Sequence, residues 1–399
     1  MFGKKKYDIC VIGGLGHVGL PLSILFAEVG KKVVVYDLNK TTQDVVSQGK
    51  MPFKEDGAEE ILNKVINKNL FISCSKDDIR NSDFIIVVIG TPAGRHLNPE
   101  FTVLKDLFAE IMDYLSDDQH IILRSTLYPG TTEKIKEYLA SKGKRPRISF
   151  CPERISQGAA VKELKALPQI VAAFDETSKN EAKELFSLLT KDVTFLTPLE
   201  AELGKLFCNI WRYIEFSIAN QFFQIALENN ADFYKIYDAI TYKYPRTVNF
   251  KKAGFAAGPC LFKDTVHMVS YTGNSFHLGS AAILVNEGLP NFIVRRLKDR
   301  HDIKSKRAGI LGMAFKADID DPRDSLSFKL RNMLEIEAKE VLCSDSYIKR
   351  DDFVSAEDLI KNSDIIILGV PHKQYANLVI PKEKVLVDIW NFFGGGGLF

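Results

Sequence analysis

The stretch YDICVIGGLGHVGLPL, from Tyr7 to Leu22, decides the fold of the first part of this chain. It begins with a β-rich apolar run, passes through the pattern G-x-G-x-x-G at Gly14–Gly19, and continues into an apolar segment that predicts a helix. A second β-rich run, KVVVYD, ends in Asp37, 23 positions after Gly14. A strand, a glycine turn, a helix and an acid in this order predict a dinucleotide-binding βαβ unit.

Each position of this fingerprint has a physical task. Gly14 permits the tight turn, Gly16 lets the backbone approach a pyrophosphate, and Gly19 allows close packing of helix and strand. The N-terminus of the helix offers backbone N–H groups to the phosphates. Asp37 is placed to bind a ribose 2′-hydroxyl and to repel a 2′-phosphate. We therefore expect NAD as the cofactor rather than NADP, although Lys40 follows closely.

The hydrophobic pattern divides the chain into three parts. Residues 1–197 alternate short β-rich runs with helical segments, which predicts an NAD-binding domain whose parallel sheet is covered on both faces. Residues 198–300 are predicted to be helical, with a long helix over Leu199–Asn230. The alternating pattern resumes over residues 301–399. We expect an α/β fold in which two Rossmann-like doubly wound parallel-sheet domains are joined by a long central helix and an all-α middle domain.

Composition limits the function further. The 399 residues are 46% hydrophobic, and 53 basic against 51 acidic residues leave a net charge of +2, which does not favour a nucleic-acid partner. We find neither a signal-peptide core nor an apolar run of about 18 residues, so we expect a cytoplasmic protein with no membrane span. The six cysteines are scattered, which is typical of cytosolic thiols. His267, His277 and His372 lack ligand spacing, so we expect structural histidines and no metal site.

Several further motifs, taken in order, resemble the nucleotide-sugar 6-dehydrogenases, which include the UDP-glucose, UDP-N-acetylmannosamine and GDP-mannose dehydrogenases. The motifs are GLGHVGLPL from Gly14, GTPAG from Gly90, STLYPGTT from Ser125, CPERISQG from Cys151, AELGKLFCN from Ala201, GPCLFKD from Gly258 and GMAFKADIDDPRDS from Gly312. The resemblance covers nearly the whole chain. It implies an NAD domain, a central helical region that forms a homodimer, and a C-terminal domain that binds the nucleotide sugar.

The resemblance implies a four-electron oxidation. The C6 hydroxymethyl of a sugar becomes a carboxylate while two NAD are reduced, and a cysteine thiolate holds the intermediate aldehyde as a thiohemiacetal and then as a thioester. Cys260 is the matching cysteine, with a buried apolar filler as the alternative. For Cys10, Cys74 and Cys343, in or near apolar strands, we expect the filler role.

The family pattern also implies roles for Lys205 and Asn209, which lie four residues apart and thus on one helix face. Lys205 would stabilise the oxyanion at C6, and Asn209 would hold the sugar or an ordered water. Asp264 would activate the hydrolytic water as a general base, or serve as an acid favoured in the first turn of a helix.

Two further residues complete the implied chemistry. Thr126 and Glu153 would share a water that takes the proton from the C6 alcohol. Glu153 is alternatively an ion-pair partner of Arg154. Lys205 and Lys263 are the candidate cations that would lower the pKa of the Cys260 thiol.

The binding contacts that the resemblance implies form two sets. Besides the fingerprint residues, the cofactor set contains Val18, Thr91, Thr126 and Arg323. The substrate set contains Glu153, Arg154, Lys205, Asn209, Arg246, Lys263 and Lys316, of which Arg246 would reach the site of a partner subunit. Arginine suits bidentate contacts to phosphate or carboxylate. The alternative for Arg246, Lys316 and Arg323 is solvated surface charge.

The substrate motifs favour a UDP-N-acetylhexosamine such as UDP-N-acetylmannosamine, with UDP-glucose as the second choice. PERISQG is closer to the N-acetylhexosamine members, and Trp390 stands where glucose-type members carry an arginine. GPCLFKD, in contrast, resembles the glucose type. The product would be a uronic acid donor for a surface glycan.

Two other functions share part of the pattern. A two-electron 3-hydroxyacid dehydrogenase has the same fingerprint and a helical lysine followed by asparagine, but it needs neither a cysteine nor residues 301–399. A nucleotide-sensing regulatory protein on the same fold would need none of Cys260, Lys205 and Asp264.

Overall fold

The computed structural model describes residues 5–91 and 101–394. It divides the chain into two compact units, residues 1–208 and residues 209–399. The division falls inside one 31-residue helix, Pro198–Glu228, which is the long central helix that the sequence predicts. Residues 92–94 of the GTPAG motif lie outside the described residues. The boundaries of three domains at 197 and 300 stay a prediction.

The first unit is built on one sheet, whose eight strands within the described residues have the order β3-β2-β1-β4-β5-β6-β7-β8. The strands are β1 (Tyr7–Ile12), β2 (Val33–Tyr36), β3 (Leu70–Ser73), β4 (Ser82–Val87), β5 (His120–Leu123), β6 (Arg147–Phe150), β7 (Gln169–Ala173) and β8 (Val193–Leu196). Strands β1 to β6 pair in parallel in the order of a Rossmann sheet.

The end of this sheet differs from the prediction. β6 and β7 pair antiparallel, with Ser149 opposite Ala173, and β8 pairs in parallel with β7. These two strands were not predicted from the sequence. β8 is the edge strand, and its partly exposed residues, including Phe195, lack the continuous apolar pattern of the buried strands.

Helices cover both faces of the first sheet. They are α1 (Gly19–Glu28), α2 (Lys40–Ser47), α3 (Ala58–Val65), α4 (Asp77–Arg80), α5 (Phe101–Ile111), α6 (Thr131–Ser141), α7 (Ala160–Ala166) and α8 (Glu176–Phe186), with a 3-10 turn at Met112–Tyr114. Ile9 and Val11 of β1 pack into one apolar core, and Cys10 and Ile12 pack into another. Successive residues of the strand therefore pack into the cores on opposite faces of the sheet, as in a doubly wound fold.

The second unit contains a parallel sheet of four strands, within the described part of the chain, in the order β10-β9-β11-β12. The strands are β9 (Arg307–Leu311), β10 (Glu340–Ser344), β11 (Ile365–Leu368) and β12 (Val385–Val387). The helices, after α9 (Pro198–Glu228), are α10 (Phe233–Thr241), α11 (Leu261–Tyr271), α12 (His277–Arg300), α13 (Leu326–Glu337) and α14 (Ala356–Asn362), with 3-10 turns at Ile303–Ser305 and Lys373–Asn377. Ile310 and Ile367 pack with Phe223 and Leu289 in the main core of this unit.

The predicted fold class is confirmed by these two Rossmann-like sheets and the long helix. No helix within residues 5–91 and 101–394 combines the length and apolarity that a membrane crossing needs.

Cys10 and Cys343 are buried, and burial raises the pKa of the Cys343 thiol to about 11. The filler role expected for Cys74 is wrong, because this residue follows the last residue of β3 and is exposed.

Candidate active site

The glycine fingerprint has the geometry that a dinucleotide needs. A Cβ on Gly19 would lie 2.5 Å from the Cα of Gly14, and a Cβ on Gly14 would lie 2.8 Å from the Val35 side chain. Gly16 differs, because no atom would lie within 4 Å of an added Cβ. Two glycines are thus required by packing, while Gly16 leaves its surface open to a pyrophosphate at the start of α1.

Asp37 is fixed beside this turn. Its Oδ2 accepts a hydrogen bond of 3.1 Å from the Leu15 N–H, and its Oδ1 accepts one of 3.0 Å from the Asn39 N–H. The turn lies where β1 is flanked by β2 and β4, so the strand order reverses at this point. Ligands of open α/β sheets bind at such a reversal. Val18 immediately precedes α1 and belongs to the same turn.

The other expected residues of the first unit follow neighbouring strands. Thr91 follows β4 and Thr126 follows β5, and the Thr91 hydroxyl donates a 2.7 Å hydrogen bond to the Thr126 carbonyl. Glu153 follows β6. Because β1 to β6 run in parallel, the residues that follow these strands meet at one edge of the sheet. The structure thus brings the expected NAD contacts of the first unit and Glu153 to the same edge.

Glu153 lies in the field of two cations. Burial raises the pKa of its carboxyl, and the charges of Lys205 and Arg124 oppose that rise. Its carboxylate accepts a hydrogen bond from the Ile155 N–H, while Arg154 donates to the Pro168 carbonyl. Arg154 is therefore bonded to the backbone, which does not favour the alternative of a Glu153–Arg154 ion pair.

Arg124 was not among the residues predicted from the sequence. It is 2% exposed, and its Nη1 donates to the Cys151 carbonyl at 3.0 Å and to Oε1 of Gln169 at 2.9 Å. These bonds hold the end of β6, where the CPER motif begins. The only sequence signal was a basic residue directly before the motif STLYPGTT.

Glu202 holds the first turns of α9. Its Oε1 accepts from the N–H and the hydroxyl of Thr132 at 2.7 and 2.6 Å, and its Oε2 accepts from the Gly130 N–H at 2.5 Å. Lys205 follows three residues later and is 6% exposed. The buried Glu202 thus fixes the helix turn from which Lys205 extends. The motif AELGKLFCN contained this residue, but its spacing alone did not show the contact.

In the second unit, Cys260 directly precedes α11. Gly258 has φ +102°, and a Cβ there would lie 2.5 Å from the Phe315 ring, so only glycine fits. The Cys260 side chain is exposed, and its carbonyl accepts the Asp264 N–H at 2.9 Å in the first helical turn. A thiolate at a helix N-terminus is stabilised by the helix dipole.

Asp264 is fully buried one turn after Cys260. Its Oδ2 accepts a 2.6 Å hydrogen bond from Nδ2 of Asn209, and its Oδ1 lies 3.6 Å from Nζ of Lys263. Asn209 is itself only 7% exposed, on α9. Asn209 therefore orients the carboxylate beside the candidate nucleophile, and the sugar or water contact expected for Asn209 stays a prediction.

Arg323 is held by Asp321 through bonds of 3.0 Å from Nε to both carboxylate oxygens and 2.6 Å from Nη2. These bonds raise the pKa of Arg323, and a negative charge on the Cys260 sulfur would act in the same direction. Arg323 was expected only as a cofactor contact. The structure makes it a third candidate cation for the thiolate, besides Lys205 and Lys263.

Lys316 lies on the loop after β9, at the carboxyl edge of the second sheet. Asp345 stabilises this loop. Its carboxylate accepts hydrogen bonds from the Met313 N–H at 2.6 Å and from Nε2 of His372 at 3.1 Å. Nδ1 of His372 accepts from the Asp318 N–H at 2.9 Å. The fully buried His372 thus supports the loop that carries Lys316.

Arg246 is on an exposed loop, where its Nη1 donates to the Tyr244 hydroxyl at 3.2 Å. The structure does not group it with the other expected residues of the second unit. In the described part of the chain, no cluster of three or more His, Cys, Asp or Glu side chains has the arrangement of a metal site.

Three sequence profiles of one family match the chain in order. The profiles of the UDP-glucose/GDP-mannose dehydrogenase family match residues 7–190 as the NAD binding domain, residues 199–287 as the central domain and residues 309–395 as the UDP binding domain. The last of these domains has no place in the 3-hydroxyacid dehydrogenase alternative.

Individual proteins are similar over almost the full length. UDP-N-acetyl-D-mannosamine dehydrogenase of Methanocaldococcus jannaschii is 29% identical over 392 residues, which cover 96% of this chain and 88% of the relative. The structure of UDP-D-ManNAc dehydrogenase from Pyrococcus horikoshii has a TM-score of 0.90 at 26% identity, covering 97% of this chain and 96% of that one. UDP-glucose dehydrogenase from Pyrobaculum islandicum, at 23% identity, shares the fold with a TM-score of 0.88 over 98% of this chain and 96% of that chain. The chain therefore belongs to the UDP-glucose/GDP-mannose dehydrogenase family and is an NAD-dependent nucleotide-sugar dehydrogenase.

Proposed function

We propose that this protein oxidises the C6 hydroxymethyl group of a UDP-N-acetylhexosamine, with UDP-N-acetylmannosamine preferred, to the uronate through a thioester on Cys260. The observation that carries the proposal is the exposed Cys260 thiol one helical turn before the buried Asp264. The names of the Methanocaldococcus jannaschii and Pyrococcus horikoshii relatives support the choice of sugar. The product would be a uronic acid donor for a surface glycan.

NAD bound on the glycine fingerprint would accept one hydride in each of two oxidations. In the first, a water shared by Thr126 and Glu153 takes the alcohol proton as the C6 carbon becomes an aldehyde. The Cys260 sulfur then bonds to that carbon, and the second oxidation converts the thiohemiacetal to a thioester. Water breaks the C–S bond and releases the carboxylate. One alcohol, two NAD⁺ and one water thus yield one carboxylate, two NADH and three protons.

The charged residues have proposed roles in the same scheme. Lys205 stabilises the oxyanion that develops at C6, because a buried cation is worth most against a developing charge. Asn209 and Asp264 orient the water that cleaves the thioester, as their 2.6 Å hydrogen bond supports. Lys263 and Arg323 favour the thiolate of Cys260, and Lys316 contacts the diphosphate.

The stoichiometry of the reaction tests this proposal. Purified protein supplied with NAD and limiting UDP-N-acetylmannosamine should form two NADH per sugar, and NADP in a parallel assay should give a lower rate. UDP-glucose and other UDP-N-acetylhexosamines serve as competing substrates. One NADH per sugar would remove the thioester chemistry, and a higher kcat/KM for UDP-glucose would overturn the choice of sugar.

We also propose that two copies of this chain associate through α9. Trp211, Ile218, Phe222 and Ile225 are each 40–61% exposed and follow spacings of seven, four and three residues along one helix face. A line of exposed apolar side chains is typical of a protein interface. UDP-sugar is the small-molecule partner, and a second copy is the proposed protein partner.

The substitution Trp211→Glu places a charge in this apolar line and is expected to shift the protein from dimer to monomer at micromolar concentration. Multi-angle light scattering measures the mass directly. Ile336→Glu is the matched control, because Ile336 is an 83% exposed isoleucine on α13 and its replacement should leave the mass unchanged. A wild-type protein that is monomeric at high concentration would refute the proposal.

A further inference from the structure

Asp264 and His267 lie on the face of α11 that continues from Cys260, the residue directly before this helix. Cys260, Asp264 and His267 stand at positions i, i+4 and i+7, which share a helix face. At about 1.5 Å of rise per residue, Asp264 lies about 6 Å along the axis from Cys260, and His267 about 4.5 Å beyond it. The side chains of helical residues lean toward the N-terminus, so the imidazole leans toward the carboxylate and the carboxylate toward the thiol.

Asp264 and His267 each have a buried polar side-chain atom with no hydrogen-bond partner among the described residues. Asp264 uses Oδ2 for its bond to Asn209, whereas Oδ1 lies 3.6 Å from Nζ of Lys263 and receives no hydrogen bond. His267 is 3% exposed, and its Nε2 likewise has no hydrogen-bond partner in the described part of the chain. Nearly all buried polar groups in proteins are hydrogen-bonded. Two such atoms one turn apart on the same helix face therefore indicate a common ligand.

The protonation state of His267 limits what that ligand is. Burial lowers the pKa of this imidazole to about 4, and the nearby charge of Lys263 adds to the effect. At neutral pH the ring is therefore uncharged, and Nε2 is a neutral hydrogen-bonding group. A carboxylate oxygen and a neutral imidazole nitrogen together suit a water molecule, which bonds to both.

We propose that His267 is a positioning residue for hydrolysis of the Cys260 thioester, in which its Nε2 and Oδ1 of Asp264 together hold the attacking water. This inference rests on the proposed thioester chemistry. The water oxygen bonds to the acyl carbon and gives one proton to the Asp264 carboxylate. The C–S bond breaks, its electron pair stays on the Cys260 sulfur, and the released acid ionises to the carboxylate.

His267 was expected from the sequence to be structural, so the test must separate positioning from packing. A structural role predicts that substitutions of similar size alter stability and slow all steps alike. A positioning role predicts that only hydrolysis slows, because the water no longer has its second contact. The two hydride transfers precede hydrolysis and do not need this water.

The experiment is a rapid-quench reaction of UDP-N-acetylmannosamine with excess enzyme and NAD. His267→Phe should form two NADH per sugar at the wild-type rate, and the protein mass should then show the acyl adduct, which decays about 10- to 100-fold more slowly than in the wild type. His267→Gln, whose amide extends to the Nε2 position, should recover most of the decay rate. Hydroxylamine, which attacks a thioester without an activated water, should discharge the adduct at similar rates in both proteins.

The outcomes separate two failures. If wild-type enzyme forms one NADH per sugar and never carries an acyl adduct, the proposed function fails. If wild-type enzyme forms two NADH and the His267→Phe adduct decays at the wild-type rate, or both hydride steps slow equally, the role of His267 is refuted while the proposed function stands. Should His267→Phe not fold, His267→Asn, whose amide is too short to reach that water, replaces it under the same criteria.

Discussion

Replacing Cys260 by serine is expected to lower steady-state NADH formation by roughly three orders of magnitude or more. A serine hydroxyl in this place is a far weaker nucleophile than a thiolate, since its pKa is much higher. The first hydride transfer does not require the sulfur, so each active site should still form about one NADH rapidly. The aldehyde then forms no thiohemiacetal with the enzyme, and the second oxidation stalls.

Stopped-flow absorbance of NADH resolves the fast phase from the steady state, and the melting temperature reports on folding. Little change in stability is expected, because the Cys260 side chain is exposed and serine is of similar size. Cys208→Ser is the matched control, since Cys208 is also exposed and lies next to Asn209 on α9. Near-normal turnover of two NADH per sugar by Cys260→Ser would refute the nucleophile assignment.

Strands β1 to β6 and β9 to β12 were predictable, because parallel strands that are buried on both faces have nearly continuous apolar sequences. The runs around Val33, Ile85 and Ile366 are examples, and these three side chains are fully buried. The same rule explains the failure at β8, where exposure of Phe195 at the sheet edge removes the pattern. The antiparallel turn into β7 was also not predictable, because strand direction depends on the connection rather than on the apolar run.

The candidate site was only partly predictable. The identities of Cys260, Lys205 and Asp264 came from motif resemblance, since a lone cysteine or lysine carries no such meaning. The contact of Asn209 with Asp264 joins residues 55 positions apart, and no local spacing encodes it. The pairing of Arg323 with Asp321 is short-range, but its charge effect on Cys260 depends on how two loops fold together.

The substitution Lys205→Met is expected to lower kcat by about 10²- to 10³-fold, the usual effect of removing one group that stabilises a developing oxyanion. It should also alter the pH profile through Glu153. Burial raises the pKa of this carboxyl, and the charge of Lys205 is the first of the influences that lower it. Without that charge the pKa of Glu153 rises further. Because Glu153 is proposed to act in its ionised form, activity is lost as the pH falls through this pKa.

For the Lys205→Met variant, the acid limb of the kcat/KM profile should therefore move to higher pH than in the wild type. The Lys205→Arg variant keeps the charge, so its acid limb should stay at the wild-type pH while its kcat falls. Initial rates from pH 5 to 9 at constant ionic strength measure both effects. Lys64→Met removes an exposed lysine on α3 and should change neither quantity. An acid limb at the same pH in Lys205→Met and wild type would show that Lys205 does not control the ionisation of the group that accepts the alcohol proton. A shift in the same direction for Lys205→Met but not for Lys205→Arg would identify the cation itself, rather than the packing of its side chain, as what keeps Glu153 ionised at the edge of the first sheet.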